Sequence, residues 1–144
     1  MSEFGSIYSV NEAAASVFSA AKTKLDWYEA MGELRIETMP KLNGDGSISA
    51  WERTFVRLGG PLAKFRNGDL ATAEDGTGDT RVTFLNAASV VSIHQELMLN
   101  GREQIEKMFI EHEDASDFWL YDPLVSFFDI TVESKFGVLT LCGH

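Results

Sequence analysis

The sequence predicts an α+β fold: one compact domain over residues 1–144, with several amphipathic helices packed on a small sheet. Three observations carry that expectation. Short runs alternate apolar and polar residues near the start, middle and end of the chain. Between them, longer stretches repeat apolar residues at spacings of three and four, as one face of a helix requires. No internal repeat or low-complexity segment divides the chain. At 144 residues with 44% hydrophobic content it has the size of one ordinary domain and can bury a continuous core.

Taken in order, Ile7-Tyr8-Ser9-Val10 alternates and then meets Asn11, a good N-cap, so a short strand leads into a helix over the alanine-rich run Glu12 to Lys24. Leu34 to Met39 also alternates until Pro40 stops it, which predicts a second strand. Ile48, Trp51, Phe55 and Leu58 then fall on one helical face. Ser49 and Glu52 stand at capping-box spacing and Gly59-Gly60-Pro61 closes the element, giving a helix from Ala50 to Leu58. Residues 66–80 hold Asn67-Gly68-Asp69 and Asp75-Gly76-Thr77-Gly78-Asp79, turn-formers with little to bury, and are read as an exposed loop.

Arg81 to Leu85 reads as a strand, and Asn86 caps a helix whose Val90, Ile93 and Leu97 share a face. Asn100 and Glu103 repeat the capping-box spacing ahead of a helix that turns Ile105, Met108 and Phe109 inward. Asp122-Pro123 offers an N-cap followed by proline, and Leu124, Phe127, Phe128 and Thr131 continue an apolar face. Phe136 to Cys142 ends the chain as a buried strand.

Charge narrows the function classes. Lys and Arg number 12 against 22 Asp and Glu, a formal net charge of −10, which opposes binding to nucleic acid or to an anionic membrane and favours a basic protein partner. Cys142 is the single cysteine, so neither an intramolecular disulfide nor a Cys-rich zinc site can form. No stretch approaches the ~18 apolar residues a membrane span needs, and the first residues lack a basic, then apolar, leader. The expected location is cytoplasmic.

One stretch imitates a metal loop. In Asn43-Gly-Asp-Gly-Ser-Ile-Ser-Ala-Trp-Glu52, with Gly46 at the sixth position, Asn43, Asp45 and Glu52 fall where an EF-hand carries ligands. The first position is Lys41, whose ammonium repels a divalent ion where an aspartate should attract it. The stretch is therefore read as a glycine-permitted turn into the Trp51 helix, with Glu52 serving the cap and no metal bound. Catalytic machinery is equally hard to find. There is no Gly-x-Ser-x-Gly elbow and no His-Glu-x-x-His pair, and Cys142 sits in an apolar strand that leaves it inert. No cofactor is expected. His94, on the face made by Val90, Ile93 and Leu97, is read first as a core histidine bonded to a carbonyl; a site around His94 and Trp51 is the alternative for a small-molecule binder or enzyme.

The richest tract for recognition runs from Glu111 to Asp122. Glu111, Glu113, Asp114 and Asp117 gather four carboxylates around His112, and carboxylates at a helix C-terminus are electrostatically unfavourable. Phe118-Trp119-Leu120-Tyr121 follows as the densest aromatic patch, in which Trp119 and Tyr121 could anchor an interface while Phe118 and Leu120 belong to the core.

Several segments together resemble the YfbM-like family of small bacterial proteins. Ser49 to Gly60, with Trp51 and Phe55, is similar to that family's Trp-containing helix ending in glycine. Arg81 to Val90 is similar to its aromatic-Leu segment entering a helix, and Leu124 to Leu139 to its closing helix and strand. The family's Tyr-Pro before the last helix appears here as Tyr121-Asp122-Pro123, and its Ala-Ala-Gly end as Glu133 to Gly137. The resemblance implies an α/β fold with no established reaction and no catalytic residues to carry over. By analogy with small acidic cytosolic families, the expected function is that of an immunity protein, a non-catalytic chain that neutralises a cognate bacterial toxin.

Overall fold

In the computed structural model of the chain, residues 4–20, 24–71 and 80–143 are described. The strands are β1 (Phe4–Val10), β2 (Lys41–Asn43), β3 (Leu70–Ala71), β4 (Thr80–Leu85) and β5 (Gly137–Gly143). They form one antiparallel sheet in the order β2-β1-β5-β4-β3. The terminal strand thus lies at the centre, paired along its length with β1 and β4 (Ile7 opposite Thr140, Thr83 opposite Thr140). The helices are α1 (Glu12–Ala20), α2 (Lys24–Glu33), α3 (Ser47–Leu58), α4 (Lys64–Asn67), α5 (Ala87–Asn100), α6 (Arg102–Glu111) and α7 (Tyr121–Ser134).

Strand alternation sends side chains to two cores. Tyr8, Val10, Val82, Phe84 and Leu139 join Phe18 and Trp27 of α1 and α2 on one face. Ile7, Leu85, Val138 and Cys142 join the larger core under α3, α5, α6 and α7 on the other. The sheet is buried on both faces, which is why β5 reads as an almost continuous apolar run rather than an alternating one. Between α7 and β1 the Thr131 hydroxyl donates to Ser9 Oγ at 3.1 Å, whereas the buried Thr140 hydroxyl of β5 has no hydrogen-bond partner among the described residues.

Local signals account for several elements as expected. Asn11 accepts from the Ala14 N–H at 3.1 Å and caps α1; Asn86 accepts from the Ser89 N–H at 2.9 Å and caps α5. Val90, Ile93, Leu97, Ile105, Phe109, Leu124, Phe127, Phe128 and Thr131 are all buried. Asp69 reinforces the start of α5 by accepting from the Asn86 N–H at 2.8 Å, the Ser89 hydroxyl at 3.0 Å and Lys64 at 2.7 Å. Burial pushes its carboxyl up, but these donors outweigh it and hold the group below 3.8.

Other expectations are corrected. Leu34 to Met39 is no strand: Ile36–Thr38 is a single 3-10 turn, entered through Arg35 at φ 52, and only Ile36 is buried. The strand at this edge is β2, beyond Pro40. Of the helix expected from Glu12 to Lys24, α1 accounts for Glu12–Ala20 and α2 includes Lys24; residues 21–23 lie outside the described residues. Of the expected loop over 66–80, residues 72–79 lie outside the described residues, and its start belongs instead to α4 and β3.

Three expected caps are not formed. The Ser49–Glu52 box gives way to an earlier start at Ser47 after Gly46, with Glu52 turned to Arg81. The Asn100–Glu103 box gives way to Gly101 at φ 80, while Asn100 ends α5 and donates back to the Glu96 carbonyl at 2.8 Å. Leu120 rather than Asp122 precedes α7, and Asp122 accepts from Arg102 at 2.7 Å.

The turn before α3 explains Gly44, the first glycine of the false metal loop. Asn43 Oδ1 accepts from the Asp45 N–H at 3.2 Å, closing a local turn. A Cβ on Gly44 would stand 2.5 Å from Ile48 Cγ1 and 3.0 Å from Leu120 Cδ2, and both side chains are fully buried. Gly44→Ala is therefore expected to lower stability by about 1–3 kcal/mol, read as a shifted urea midpoint at unchanged slope.

Candidate functional site

The tract from Glu111 to Asp122 folds as the end of α6, a turn, a 3-10 segment over Ala115–Leu120 and the start of α7. Residues three apart eclipse in a 3-10 segment, so Phe118 and Tyr121 point the same way and Trp119 points elsewhere. Phe118 and Tyr121 stack with ring centroids 5.3 Å apart at 16°. Both pack on the fully buried ring of Trp51, which also contacts Phe109 at 4.5 Å and Phe55 at 5.6 Å. Trp119 is left 53% exposed.

An exposed indole usually samples several rotamers, but this one is tethered. Trp119 Nε1–H donates to Ser47 Oγ at 2.9 Å, and the Ser47 hydroxyl donates onward to Asp117 Oδ1 at 2.8 Å. The Asp117 carbonyl in turn accepts from Trp51 Nε1–H at 3.0 Å. The tether is therefore rooted in the aromatic core, and it fixes the open face of the Trp119 ring relative to the start of α3.

The predicted carboxylates have separate roles. Asp114 faces Arg53 at 3.4 Å and Arg57 at 3.7 Å, so α3 neutralises it. Asp117 serves the Ser47 tether. Glu111 is exposed, with Lys107 at 3.9 Å one helical turn back, and Glu113 is exposed without an ion pair among the described residues. Glu113 also occupies the left-handed region at φ 61, where the chain leaves α6 and the Asp114 N–H bonds back to the Phe109 carbonyl at 2.8 Å. Glycine is the residue that fits such a position without strain.

Tyr121, predicted as a second anchor, is 7% exposed and sits in the core. Burial pushes its hydroxyl up, an effect opposed by Arg102 and aided by Asp122. Arg102 spans this edge, its guanidinium 5.2 Å from the ring centres of both Phe118 and Tyr121. Of the six residues predicted for the surface, Trp119, Glu111 and Glu113 are the exposed ones.

The alternative pair is not assembled into one open cleft. Trp51 has no exposed surface, whereas His94 is half-buried on the flank of α5 and its Nε2 lies 2.5 Å from Asp129 Oδ1 of α7. His94 therefore bonds a carboxylate at the surface rather than a carbonyl in the core. Among the described residues no cluster of His, Cys, Asp or Glu is arranged to hold a metal ion, and no helix is long and apolar enough to cross a membrane.

Sequence reasoning missed the most buried charge in the described structure. Glu52 is 3% exposed, and both its oxygens accept from Arg81 Nη2, at 2.6 and 2.5 Å. Arg81 Nη1 also donates to the Arg66 carbonyl at 3.1 Å, tying α3, α4 and β4 together. The only sequence signal was Glu52 sitting beside Trp51 and one residue off the apolar face of α3.

No family model and no curated protein matches the chain. A solved structure does: the crystal structure of YfbM from Escherichia coli, a protein of unknown function, superposes with a TM-score of 0.67 at 11% identity. The match covers 96% of this chain and 99% of that one. The likeness bears out the fold that the Trp51 helix, the Asn86-capped helix and the closing helix and strand lead one to expect, so the chain has a YfbM-like fold.

Proposed function

We propose that the chain is a non-catalytic binding protein of the immunity type, which neutralises a cognate bacterial toxin by seating Trp119 on a basic surface of it. The observation that carries the reading is the Trp119–Ser47–Asp117 tether. A tryptophan held in one orientation while half of it faces solvent loses little further freedom on binding, and preordered aromatic residues are the side chains that dominate interface energies. The net charge of −10 supports the partner's sign, since opposite charge accelerates encounter.

Glu113 adds a second support. A carboxylate at the C-terminal end of a helix, in the left-handed region, is disfavoured both by the helix dipole and by its own Cβ. Strain of this kind in the tract that carries the exposed tryptophan fits a residue kept for binding. Glu113→Gly is expected to stabilise the fold by about 1 kcal/mol, or about 3 °C in Tm, while slowing association with the toxin. Lys135→Gly relieves the same conformation (φ 59) at the end of α7 and should stabilise without touching association.

Stopped-flow association of the toxin with Glu111→Lys/Glu113→Lys tests the reading directly. Asp114 and Asp117 are left intact because they hold Arg53, Arg57 and Ser47. A lower association rate with weaker salt dependence is the expected result. Kinetics identical to the parent chain would remove these carboxylates from the interface.

A further inference from the structure

The loop that imitates a metal site stands against the tethered tryptophan. Two contacts hold it to the 3-10 segment. A Cβ on Gly44 would meet Leu120 Cδ2 at 3.0 Å, and three residues later Ser47 Oγ bonds both Trp119 Nε1 and Asp117 Oδ1. Asp45 and Gly46 lie between those contacts, in a turn closed by the Ser47 N–H on the Gly44 carbonyl at 2.9 Å. Asp45 is thereby held at the rim of the exposed Trp119 ring.

The turn does not need the Asp45 carboxylate. Asp45 occupies the left-handed region at φ 47, which asparagine or glycine fits as well, and its local bond uses the backbone N–H, given to Asn43 Oδ1. Its exposed carboxylate and that of Asp117 have no ion pair among the described residues. Cations of the adjoining elements are engaged elsewhere. Arg53 and Arg57 face Asp114, and Lys41 lies 5.7 Å over the Tyr8 ring, in the core on the opposite face of the sheet. A fixed, open indole beside two carboxylates that lack a counter-charge offers a cation both a ring face and full charge.

We propose that Trp119, Asp45 and Asp117 form a subsite for one arginine side chain of a basic partner, with the guanidinium lying on the indole and bonding the Asp45 carboxylate. A planar, weakly hydrated guanidinium stacks on a ring while its N–H groups point outward to a carboxylate at the edge. A lysine ammonium is a strongly hydrated point charge and does not do both. This subsite rests on the reading of Trp119 as the recognition surface, and names the side chain that the surface takes.

The test is a nitrogen-15 NMR titration of the full chain with acetylated, amidated Gly-Arg-Gly and Gly-Lys-Gly peptides. Trp27 and Trp51 are buried, so the indole N–H resonance of Trp119, identified by its loss in Trp119→Ala, reports the subsite. Both peptides carry one positive charge, so general attraction to a chain of net charge −10 is common to the two. The arginine peptide is expected to move the Trp119 resonance saturably, and the lysine peptide to bind at least about 3-fold more weakly. Asp45→Asn keeps the left-handed turn and should weaken the arginine peptide at least about 3-fold. No saturable shift, equal affinity for the two peptides, or unchanged affinity in Asp45→Asn would overturn the proposal. Its failure is separable from that of the toxin reading. Capture of a basic protein that needs Trp119 yet is indifferent to Asp45→Asn defeats the arginine subsite alone. An arginine-selective, Asp45-dependent shift supports the subsite even in a chain that captures no toxin.

Discussion

Arg81→Met is expected to destabilise the fold by about 3–5 kcal/mol at neutral pH, the cost of leaving a buried carboxylate without its counter-charge. Glu52 is almost wholly inside, and among the described residues Arg81 is the one side chain that bonds it; Arg66 and Arg53 act on it through space. The reverse substitution is far milder. Glu52→Gln keeps an acceptor for Arg81, whose own side chain is 33% exposed and can be solvated, so a loss of about 1 kcal/mol is expected. Adding Glu52→Gln to Arg81→Met should restore most of the loss, because the double variant buries no unpaired charge.

The pH dependence follows from the direction of the Glu52 shift. Burial raises its carboxyl above the ordinary 4.5, and Arg81, Arg66 and Arg53 oppose the rise without cancelling it. A group whose folded value is raised contributes stability at low pH that is lost as pH climbs through the folded value. Removing Arg81 takes away the strongest opposing attraction and lifts the group further. The deficit of Arg81→Met should therefore be smaller just above pH 4.5 than at neutrality. Urea unfolding of the four chains at both pH values reads this directly. Equal losses for Arg81→Met and Glu52→Gln would show that the pair is not buried as described.

These effects mark where the sequence was legible. Asn11 and Asn86 cap helices as their neighbours imply, and the apolar spacing of α5 and α7 locates their buried faces, because each of these signals is local. Glu52 and Asp122 also look like local caps. Their partners, Arg81 and Arg102, lie 29 and 20 residues away and offer a full countercharge, which outweighs one capping hydrogen bond. Leu34 to Met39 alternates like a strand, yet the side of β1 nearest to it in the chain is taken by β2, which follows Pro40. At the site, the richness of the Glu111–Tyr121 tract was visible, but its division was not. Trp119 lies in the 3-10 segment and faces solvent, whereas Tyr121 opens α7 and packs with Phe118 on the buried Trp51 ring.

The second large effect concerns Trp119. It contributes little to the core, so Trp119→Ala should remain folded, while affinity for the partner should fall by at least about 2 kcal/mol, roughly 30-fold. Ser47→Ala separates the ring from its orientation. Trp119 remains, but its N–H and the Asp117 carboxylate lose the hydroxyl between them. Binding must then order a freer ring, at about 0.5–1.5 kcal/mol for one side chain, so a loss of roughly threefold to tenfold is expected.

The most direct measurement is calorimetric titration of a partner captured from the native cells into the parent chain, Ser47→Ala and Trp119→Ala. Association of a basic protein that weakens with salt, falls severalfold in Ser47→Ala and collapses in Trp119→Ala is the predicted result. Undiminished affinity in Trp119→Ala would contradict a recognition surface built on the tethered tryptophan.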